Sequence, residues 1–253
     1  MQSRRYYLDD INTLIQKLEW DTPVEEKENA IKKLQFVNDG ELPLLLQPLT
    51  KGHWDGATEV IINLGYPRVE SILPGLLIWI QDLNWPGAHQ ISDLLREIGD
   101  PLIPYIKDVF IQYSDDQEWI GWIFELIVDQ WNTKQITQIQ NELIQLSKGR
   151  TNDLKALRTL LVHRICPKEA IELIMQEKKK NISLEILELE QSNPGMDCEE
   201  LQREFSEVIF KPECSRVYYK QNEGEFSLCN HKSNLQHYLS EIEDLAREVS
   251  EFV

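Results

Sequence analysis

The cysteines and histidines near the C-terminus are the residues whose types best suit metal chemistry. Zinc accepts a set of two thiolates and two imidazoles, and the candidates are Cys214, Cys229, His231 and His237. Zinc sites usually carry close ligand pairs such as CxxC or HxxxH, but here only Cys229 and His231 are near neighbours. We therefore expect ordinary buried thiols and surface histidines, and no bound metal.

A thiol nucleophile activated by an imidazole is the second chemistry to consider. His163 and Cys166 are three residues apart, but Pro167 ends the helix that carries them, and their neighbours match no catalytic signature. The N-terminal segment MQSRRYYLDD is not followed by the apolar run of a secretory signal. We therefore expect a cytoplasmic protein with reduced cysteines, namely Cys166, Cys198, Cys214 and Cys229.

Three neighbouring carboxylates could hold a divalent cation or act as an acid–base pair: Asp115, Asp116 and Glu118. They lack the ligand spacing and central glycine of an EF-hand loop, and acidic residues in a turn between helices commonly cap a helix. We expect solvated capping residues. Consequently we expect no catalytic residue, no cofactor and no enzyme activity.

The charge of the chain limits its partners. It has 43 acidic and 26 basic residues, a net charge of −17, and residues 41–130 alone carry 14 acidic against 4 basic side chains. That stretch also holds five of the seven tryptophans. Nucleic acids and anionic membranes attract basic surfaces, so we expect neither as a partner. The longest strongly apolar window, residues 72–80, is too short for a bilayer-spanning helix of about 20 residues.

An internal repeat in the same stretch indicates a series of helical hairpins. Three segments align through prolines 31 and 30 residues apart and tryptophans 31 and 34 residues apart: Pro43, Pro74 and Pro104, then Trp54, Trp85 and Trp119. In each unit the proline opens a first helix, a polar turn follows, and a second helix ends at a glycine such as Gly65 or Gly99.

The turns and contacts between these hairpins can also be assigned. Residues 51–53 are expected to form one polar turn. Asn84 and Asp116 are expected to cap the second helices, with Pro86 just inside one of them. The small side chains of Ala57 and Ala88 would let paired helices approach closely.

A period of 31 to 34 residues with this pattern resembles HEAT-like helical repeats. More narrowly, GYPRVESILPGLLIWIQDLNWPGA resembles a bacterial domain family of unknown function with an LLxWLQDxNWPxA core motif, over about residues 20–135. The resemblance implies a fold and no established chemistry. Some HEAT-like bacterial proteins are immunity partners of secreted toxins and others are scaffolds, so it implies a binding role at the level of fold alone.

HEAT-like repeats also build DNA glycosylases with Trp and Asp in a groove, roles that Trp85, Asp82 and Trp119 could fill. Such a groove needs basic residues to hold the duplex. Residues 41–130 offer only Lys51, Arg68, Arg96 and Lys107. The charge therefore argues against that class.

The sequence predicts an all-α protein with two regions. Residues 1–147 are expected to form an α-solenoid of HEAT-like helical hairpins at about 6–38, 42–65, 72–99 and 102–131, in a register that is lost after Trp131. Residues 148–253 are expected to be mostly helical, with helices near 151–163, 167–179, 183–190, 198–209 and 235–249. The segments SRVYYK and FSLCNH leave room for one small β-hairpin.

Two interpretations of the repeated tryptophans stay open. They fill equivalent gaps between hairpins, or they are aromatic anchors on a surface whose acids steer a basic protein partner. The expected partner-binding residues are Trp54, Asp55, Asp82, Asn84, Trp85, Asp115, Asp116, Glu118 and Trp119.

The leading hypothesis is a non-catalytic protein-binding module, and its sharper form is an immunity-type inhibitor of a basic toxin or nuclease. One alternative is an enzyme with a site where the repeats meet the C-terminal region. Another is a structural subunit that self-associates. The sequence leaves the oligomeric state and the identity of the partner open.

Overall fold

The computed structural model describes residues 11–251, which form two compact units. The first unit ends at Ile165 and the second begins at Cys166. Helices occur throughout the described residues and no strand does, which confirms the all-α prediction. The first five residues of the helix expected from residue 6 lie outside the described part of the chain. None of the described helices is both long enough and apolar enough to cross a membrane.

The first unit is a series of helical pairs, each with a first helix, a turn and a second helix. The pairs are α1 (11–16) with α2 (Val24–Leu34), a 3₁₀ helix (Asp39–Leu45) with α3 (Lys51–Leu64), α4 (Leu73–Trp79) with α5 (Ala88–Ile98), α6 (Ile103–Gln112) with α7 (Gln117–Leu126), and α8 (Thr133–Gln138) and α9 (Gln140–Leu146) with α10 (Asp153–Val162). Short 3₁₀ helices precede α4, α6 and α8: Glu70–Ile72, Asp100–Leu102 and Val128–Gln130. Successive second helices touch, α2 on α3, α3 on α5 and α5 on α7.

The prolines open two of the three first helices as expected. Pro74 and Pro104 lie in the first turn of α4 and α6, where a missing N–H costs nothing. Pro43 instead lies within the 3₁₀ helix, so the expectation of an α-helix there is wrong. Pro43 cannot donate an i→i−4 bond, and the positive φ of Gln47 and Leu49 stops the chain from continuing as a helix.

Glycines end the second helices where the sequence places them. Gly65 and Gly99 follow α3 and α5 with φ of +59° and +68°, a region that glycine enters without steric cost. Asp116 caps α7 as expected, since its Oδ1 accepts a 3.0 Å hydrogen bond from the backbone N–H of Trp119.

Two predicted turns are displaced. Asn84 does not cap α5, because the helix begins only at Ala88, after Gly87 with φ of +79°. Pro86 therefore lies before the helix and not inside it. A residue that precedes a proline disfavours helical backbone, which is consistent with a start after Pro86. Residues 51–53, expected as a turn, form the first turn of α3, and His53 Nδ1 lies 3.0 Å from Thr50 Oγ1.

Helices α3 and α5 approach closely through small residues. Ala57 and Ala88 are fully buried. A Cβ atom at Gly87 would lie only 1.9 Å from Thr58 Oγ1, so only glycine fits at this point of contact.

A fifth helical pair follows Trp131, beyond the point where the register of the sequence repeat is lost. Helix α9 packs against both α6 and α10. Helix α8 begins with a capping box in which Asn132 Oδ1 accepts from the Gln135 backbone N–H and the Gln135 side chain accepts from the Asn132 backbone N–H. This Asn-x-x-Gln signature is visible in the sequence. The predicted boundary at residue 147 lies between α9 and α10, inside the first unit.

The second unit contains α11 (Lys168–Ser192), α12 (Cys198–Val208), α13 (Pro212–Gln221) and α14 (Glu223–Glu251). The helices expected at 167–179 and 183–190 are one helix, because neither glycine nor proline interrupts residues 179–183. Helices α11 and α14 pack along each other.

The β-hairpin expected from SRVYYK and FSLCNH is wrong. Both segments are helical, the first in α13 and the second in α14. Pro212 opens α13 in its first turn, and Tyr218 and Phe226 pack together with ring centroids 6.3 Å apart. Tertiary packing of these aromatic rings overrides their strand propensity.

A disulfide joins Cys198 of α12 to Cys229 of α14, so the expectation of four reduced thiols is wrong. The bond lies in a small core with Leu201 and Phe226. The two cysteines are 31 residues apart, and no sequence pattern pairs them, because only the packing of α12 on α14 brings them together. Cys166 and Cys214 are free.

Candidate protein-binding surface

Three tryptophans form a cluster where first helices turn into second helices. The Trp54 ring lies 6.2 Å from the Trp79 ring and 5.8 Å from the Trp85 ring, both in edge-to-face geometry. The indole N–H of Trp54 donates to the carbonyl of Pro48, and that of Trp79 donates to the carbonyl of Pro86. Trp79 is fully buried, whereas Trp54 and Trp85 are half-buried. The structure thus brings two of the predicted aromatic residues together at the edge of the core.

Trp119 packs in the core. Its side chain is 3% exposed, and its indole N–H donates a 3.0 Å hydrogen bond to the Leu77 carbonyl, 42 residues earlier in the chain. The Tyr113 ring lies 5.1 Å away. The filling of a gap between helical pairs therefore accounts for Trp119.

Three of the predicted acidic residues have partners within the fold. Asp55 Oδ2 accepts a 2.8 Å hydrogen bond from the Trp20 indole N–H. Asp82 Oδ1 accepts from the backbone N–H of Asn84, an Asx turn. Asp116 caps α7 and also accepts from Gln81. These carboxylates hold turns and neighbouring helical pairs in place.

Asp115 and Glu118 remain exposed, and within residues 11–251 neither takes part in an ion pair or a side-chain hydrogen bond. Asn84 is exposed as well. The nine predicted residues therefore do not converge on one site. They divide into buried packing groups, local structural acceptors and exposed positions.

A groove of about 620 Å³ lies between the exposed faces of α3 and α5, and none of the residues predicted from the sequence to bind a partner lines it. We call it the acidic groove and define it by Ile62, Tyr66, Asp93, Leu94 and Glu97. Ile62 and Tyr66 are 39% and 43% exposed. The signal in the sequence is the position of Ile62 off the buried stripe of α3, whose members include Ala57 and Ile61.

Acidic side chains continue on both sides of this groove. Glu59 is exposed on α3, and Glu118 and Glu125 are exposed on α7, which packs beside α5. Carboxylates thus occur on the exposed faces of three adjacent second helices.

The few basic side chains nearby are already engaged. Arg68 pairs with Asp39 at 2.8 Å, Arg96 pairs with Asp93, and Lys107 Nζ lies 3.9 Å from Glu142. The Lys51 ammonium lies over the Trp54 ring, 5.8 Å from its centroid. These four are the only Lys and Arg residues between positions 41 and 130. The same stretch carries 14 acidic side chains, so most of its acids have no basic counterpart within it.

None of the residues considered for enzymatic or metal chemistry is among those that line this groove. His163 Nδ1 is 3.1 Å from Thr133 Oγ1, and burial lowers the pKa of His163 while the Asp129 carboxylate raises it. Burial raises the pKa of Asp129, against the lowering effect of Lys155 and Arg158. Burial also raises the pKa of the Cys166 thiol, which disfavours the reactive thiolate.

The predicted zinc ligands do not assemble. Cys229 is in the disulfide, and Cys214 is exposed and free. His231 and His237 lie near Glu185 and Glu241, at 3.6 and 3.9 Å. Within the part of the chain that the structure describes, no three His, Cys, Asp or Glu side chains are grouped so that they could hold a metal ion.

Residues 49–163, from just before α3 to just after α10, match the model of a protein family described as a domain of unknown function (DUF5071). The matched region contains the acidic groove, the tryptophan cluster and the fifth helical pair. Neither the curated proteins nor the solved structures include a match to the chain. The family description assigns no activity, so a function must be argued from the surface itself.

Proposed function

We propose that the first unit is a non-catalytic protein-binding module whose acidic groove receives a basic protein partner. The observation that carries this proposal is the pairing of exposed apolar side chains with carboxylates in one groove. Ile62 and Tyr66 line it from the α3 side, and Asp93 and Glu97 line it from α5.

The two kinds of side chain have different roles in binding. Partly exposed apolar and aromatic groups supply most of the binding energy when a partner covers them. Carboxylates at the edge steer a basic partner toward the groove and disfavour acidic ones. The charge of −10 between residues 41 and 130 extends this attraction beyond the groove.

The side-by-side order of α2, α3, α5 and α7 supports a short α-solenoid of HEAT-like pairs. In such folds the second helices form an extended surface, and binding to other macromolecules is its common use. The acidic groove lies between two of these second helices. We therefore assign binding to the face of the second helices, with the turn residues Trp54 and Trp85 at its edge.

In its sharper form, the protein is an immunity-type inhibitor that covers a basic surface of a toxin or nuclease. A strongly acidic inhibitor binds such a surface quickly because opposite charges raise the association rate. The genomic neighbourhood is the first test of this form, and co-expression with the product of any toxin-like gene found there is the second. Restored growth that depends on Asp93 and Glu97 supports it, and unchanged toxicity contradicts it.

The general proposal is tested with two double variants of equal charge change. Asp93→Lys with Glu97→Lys alters the acidic groove, and Glu70→Lys with Asp108→Lys alters exposed acids outside it. The partner is captured with the unaltered chain from cells of the source organism and then purified. We expect the first pair to weaken binding at least tenfold and the second pair to have a much smaller effect. Equal losses would show that only bulk charge matters, and would contradict a specific groove.

A further inference from the structure

Two short helices of the second unit, α12 and α13, are attached to the long helix α14 through a small apolar core. The buried members of this core are Leu201 of α12 and Phe226 and Cys229 of α14. Leu201 is the buried residue of α12, and α13 has none. We call α12 and α13 together, residues 198–221, the α12–α13 hairpin.

Aromatic packing supplies the remaining contact between the hairpin and α14. The Phe205 ring lies edge-to-face with the Phe226 ring, with centroids 5.2 Å apart, and the Tyr219 ring stacks on Phe226 at 5.1 Å. The hydroxyl of Tyr218 donates to Glu204, which is a bond within the hairpin. Within residues 11–251, no ion pair or side-chain hydrogen bond joins the hairpin to α11 or α14. One apolar cluster and the disulfide therefore make the attachment.

The pairing of α11 with α14 has a separate core. Ion pairs also join the two helices, from Lys179 to Glu243 at 2.6 Å and from Lys232 to Glu190 at 2.7 Å. The buried apolar side chains are Ile171, Met175 and Ile182 of α11 and Leu235, Ile242, Leu245 and Val249 of α14. Because these residues lie outside the cluster around Phe226, the pairing does not depend on the hairpin.

The disulfide from Cys198 to Cys229 is the strongest link between the hairpin and α14. It closes a loop of 31 residues, and such a bond stabilises the closed form by limiting the conformations of the open one. Without it, a few apolar contacts would have to offset the conformational entropy of residues 198–221. Cys229 is 6% exposed but Cys198 is only half-buried, so a thiolate can approach the bond from the Cys198 side.

We propose that this disulfide is a redox-sensitive switch that thiols of the glutathione class open. In the reduced chain the α12–α13 hairpin leaves α14 and uncovers Leu201 and Phe226, while α11 and α14 stay paired. In the disulfide-bonded chain the hairpin stays closed. The inference lies wholly within the second unit and does not depend on the acidic groove.

The chemistry is thiol–disulfide exchange with two glutathione molecules. The first thiolate attacks Cys198 Sγ, so the bond between the two cysteines breaks and Cys229 leaves as a thiolate that takes up a proton. The second thiolate attacks the glutathione sulfur of this mixed disulfide and releases Cys198, which is protonated in turn. The protein disulfide gains two electrons and two protons, and the two thiols become glutathione disulfide. Glutathione disulfide in excess reverses both steps.

The first experiment asks whether the bond opens in the folded chain. The full chain is incubated in a glutathione buffer without denaturant, and its thiols are then blocked and mapped by mass spectrometry. We expect new adducts at Cys198 and Cys229, which disappear after treatment with glutathione disulfide. Structural disulfides resist the glutathione pool, whereas exposed ones are labile. A bond that is reduced only after denaturation would therefore overturn the proposal.

Hydrogen exchange of the full chain then locates the opening. On reduction we expect the amides of residues 198–221 to exchange roughly a hundredfold faster or more, and those of α11 to change less than about threefold. Unchanged exchange in residues 198–221 would overturn the proposal, and so would an equal rise in α11, which would mean that the whole unit unfolds.

Two cysteine variants provide the controls for this measurement. Cys198→Ser with Cys229→Ser removes the bond, so residues 198–221 should exchange at the fast rate with or without glutathione. Cys214→Ser removes the free thiol of the same hairpin and should keep the full response to reduction. Slow exchange in the double variant, or loss of the response in Cys214→Ser, would contradict the assignment of the switch to the bond between Cys198 and Cys229.

Discussion

The side-chain amide of Gln81 donates a 2.7 Å hydrogen bond to Oδ2 of Asp116, 35 residues further along the chain. The other oxygen of Asp116 caps α7 through the Trp119 backbone N–H. One carboxylate therefore ends a turn and also joins two helical pairs. The sequence predicts the helix cap, but the bond to Gln81 depends on the packing of two helical pairs and is not visible in the sequence.

Asp116→Ala removes both of these contacts. We expect a loss of about 2 kcal/mol in the free energy of unfolding, from the helix cap and the hydrogen bond to Gln81 together. Urea denaturation followed by circular dichroism measures it. Asp115→Ala is the neighbouring control and should change stability by less than about 0.5 kcal/mol, since Asp115 is exposed. Equal effects of the two variants would contradict the structural role of Asp116.

Gly87→Ala tests the close approach of α3 and α5. The added Cβ atom would meet Thr58 Oγ1 at 1.9 Å, and the backbone at residue 87 has a positive φ. We expect destabilisation of about 2 kcal/mol or more, from overpacking and backbone strain. Gly40→Ala is the control, because nothing lies within 4 Å of its added Cβ. An unchanged melting temperature for Gly87→Ala would mean that the two helices are further apart.

Alkylation under denaturing conditions tests the disulfide. With Cys198 and Cys229 joined, two thiols react with iodoacetamide before reduction and four react after it, as counted by mass spectrometry. Reduction should also destabilise the second unit by roughly 3–4 kcal/mol, because the bond closes a loop of 31 residues in the unfolded chain. Four adducts without a reductant would contradict the disulfide.

The titration of His163 reports on the environment of α10. Burial lowers its pKa below 6.5, so between its folded pKa and 6.5 the unfolded chain binds more protons than the folded chain. Stability from this group should therefore rise with pH across that window, be complete above 6.5, and be lost as pH falls through the folded pKa.

Proton NMR of the His163 ring measures the pH midpoint of its titration in the folded protein directly. Asp129→Asn should lower the midpoint further, since the Asp129 charge favours the imidazolium. Asp93→Asn, which removes an acid that does not contribute to this pKa, should leave the midpoint unchanged. A midpoint above 6.5, or one that rises in Asp129→Asn, would contradict the assigned environment.

The local signals in the sequence predicted the parts of the fold that depend on backbone chemistry. Gly65 and Gly99 end helices because their φ values favour glycine, and Asp116 caps α7 because a short carboxylate reaches the N–H three residues ahead. Such effects act within one turn of a helix, so the residue types suffice to predict them.

Features that depend on packing between distant segments were not predictable in the same way. The strand-like run from Val217 to Tyr219 is helical because its aromatic rings pack against Phe226 and its neighbours. The bond between Cys198 and Cys229 needs α12 and α14 side by side. The acidic groove likewise exists only because α3 and α5 lie together with Ile62 and Tyr66 uncovered.

Site-specific photo-crosslinking tests the central claim most directly. A photoreactive phenylalanine analogue replaces Tyr66 in the acidic groove, and in a second variant it replaces Leu44, which is exposed on the 3₁₀ helix outside the groove. After irradiation in cells of the source organism, we predict that position 66 captures one protein rich in Lys and Arg. We also predict that Asp93→Lys with Glu97→Lys abolishes this capture and that position 44 captures little of the same protein. Equal capture from both positions, or capture of an acidic protein at position 66 alone, would contradict the assignment of the groove as the binding surface.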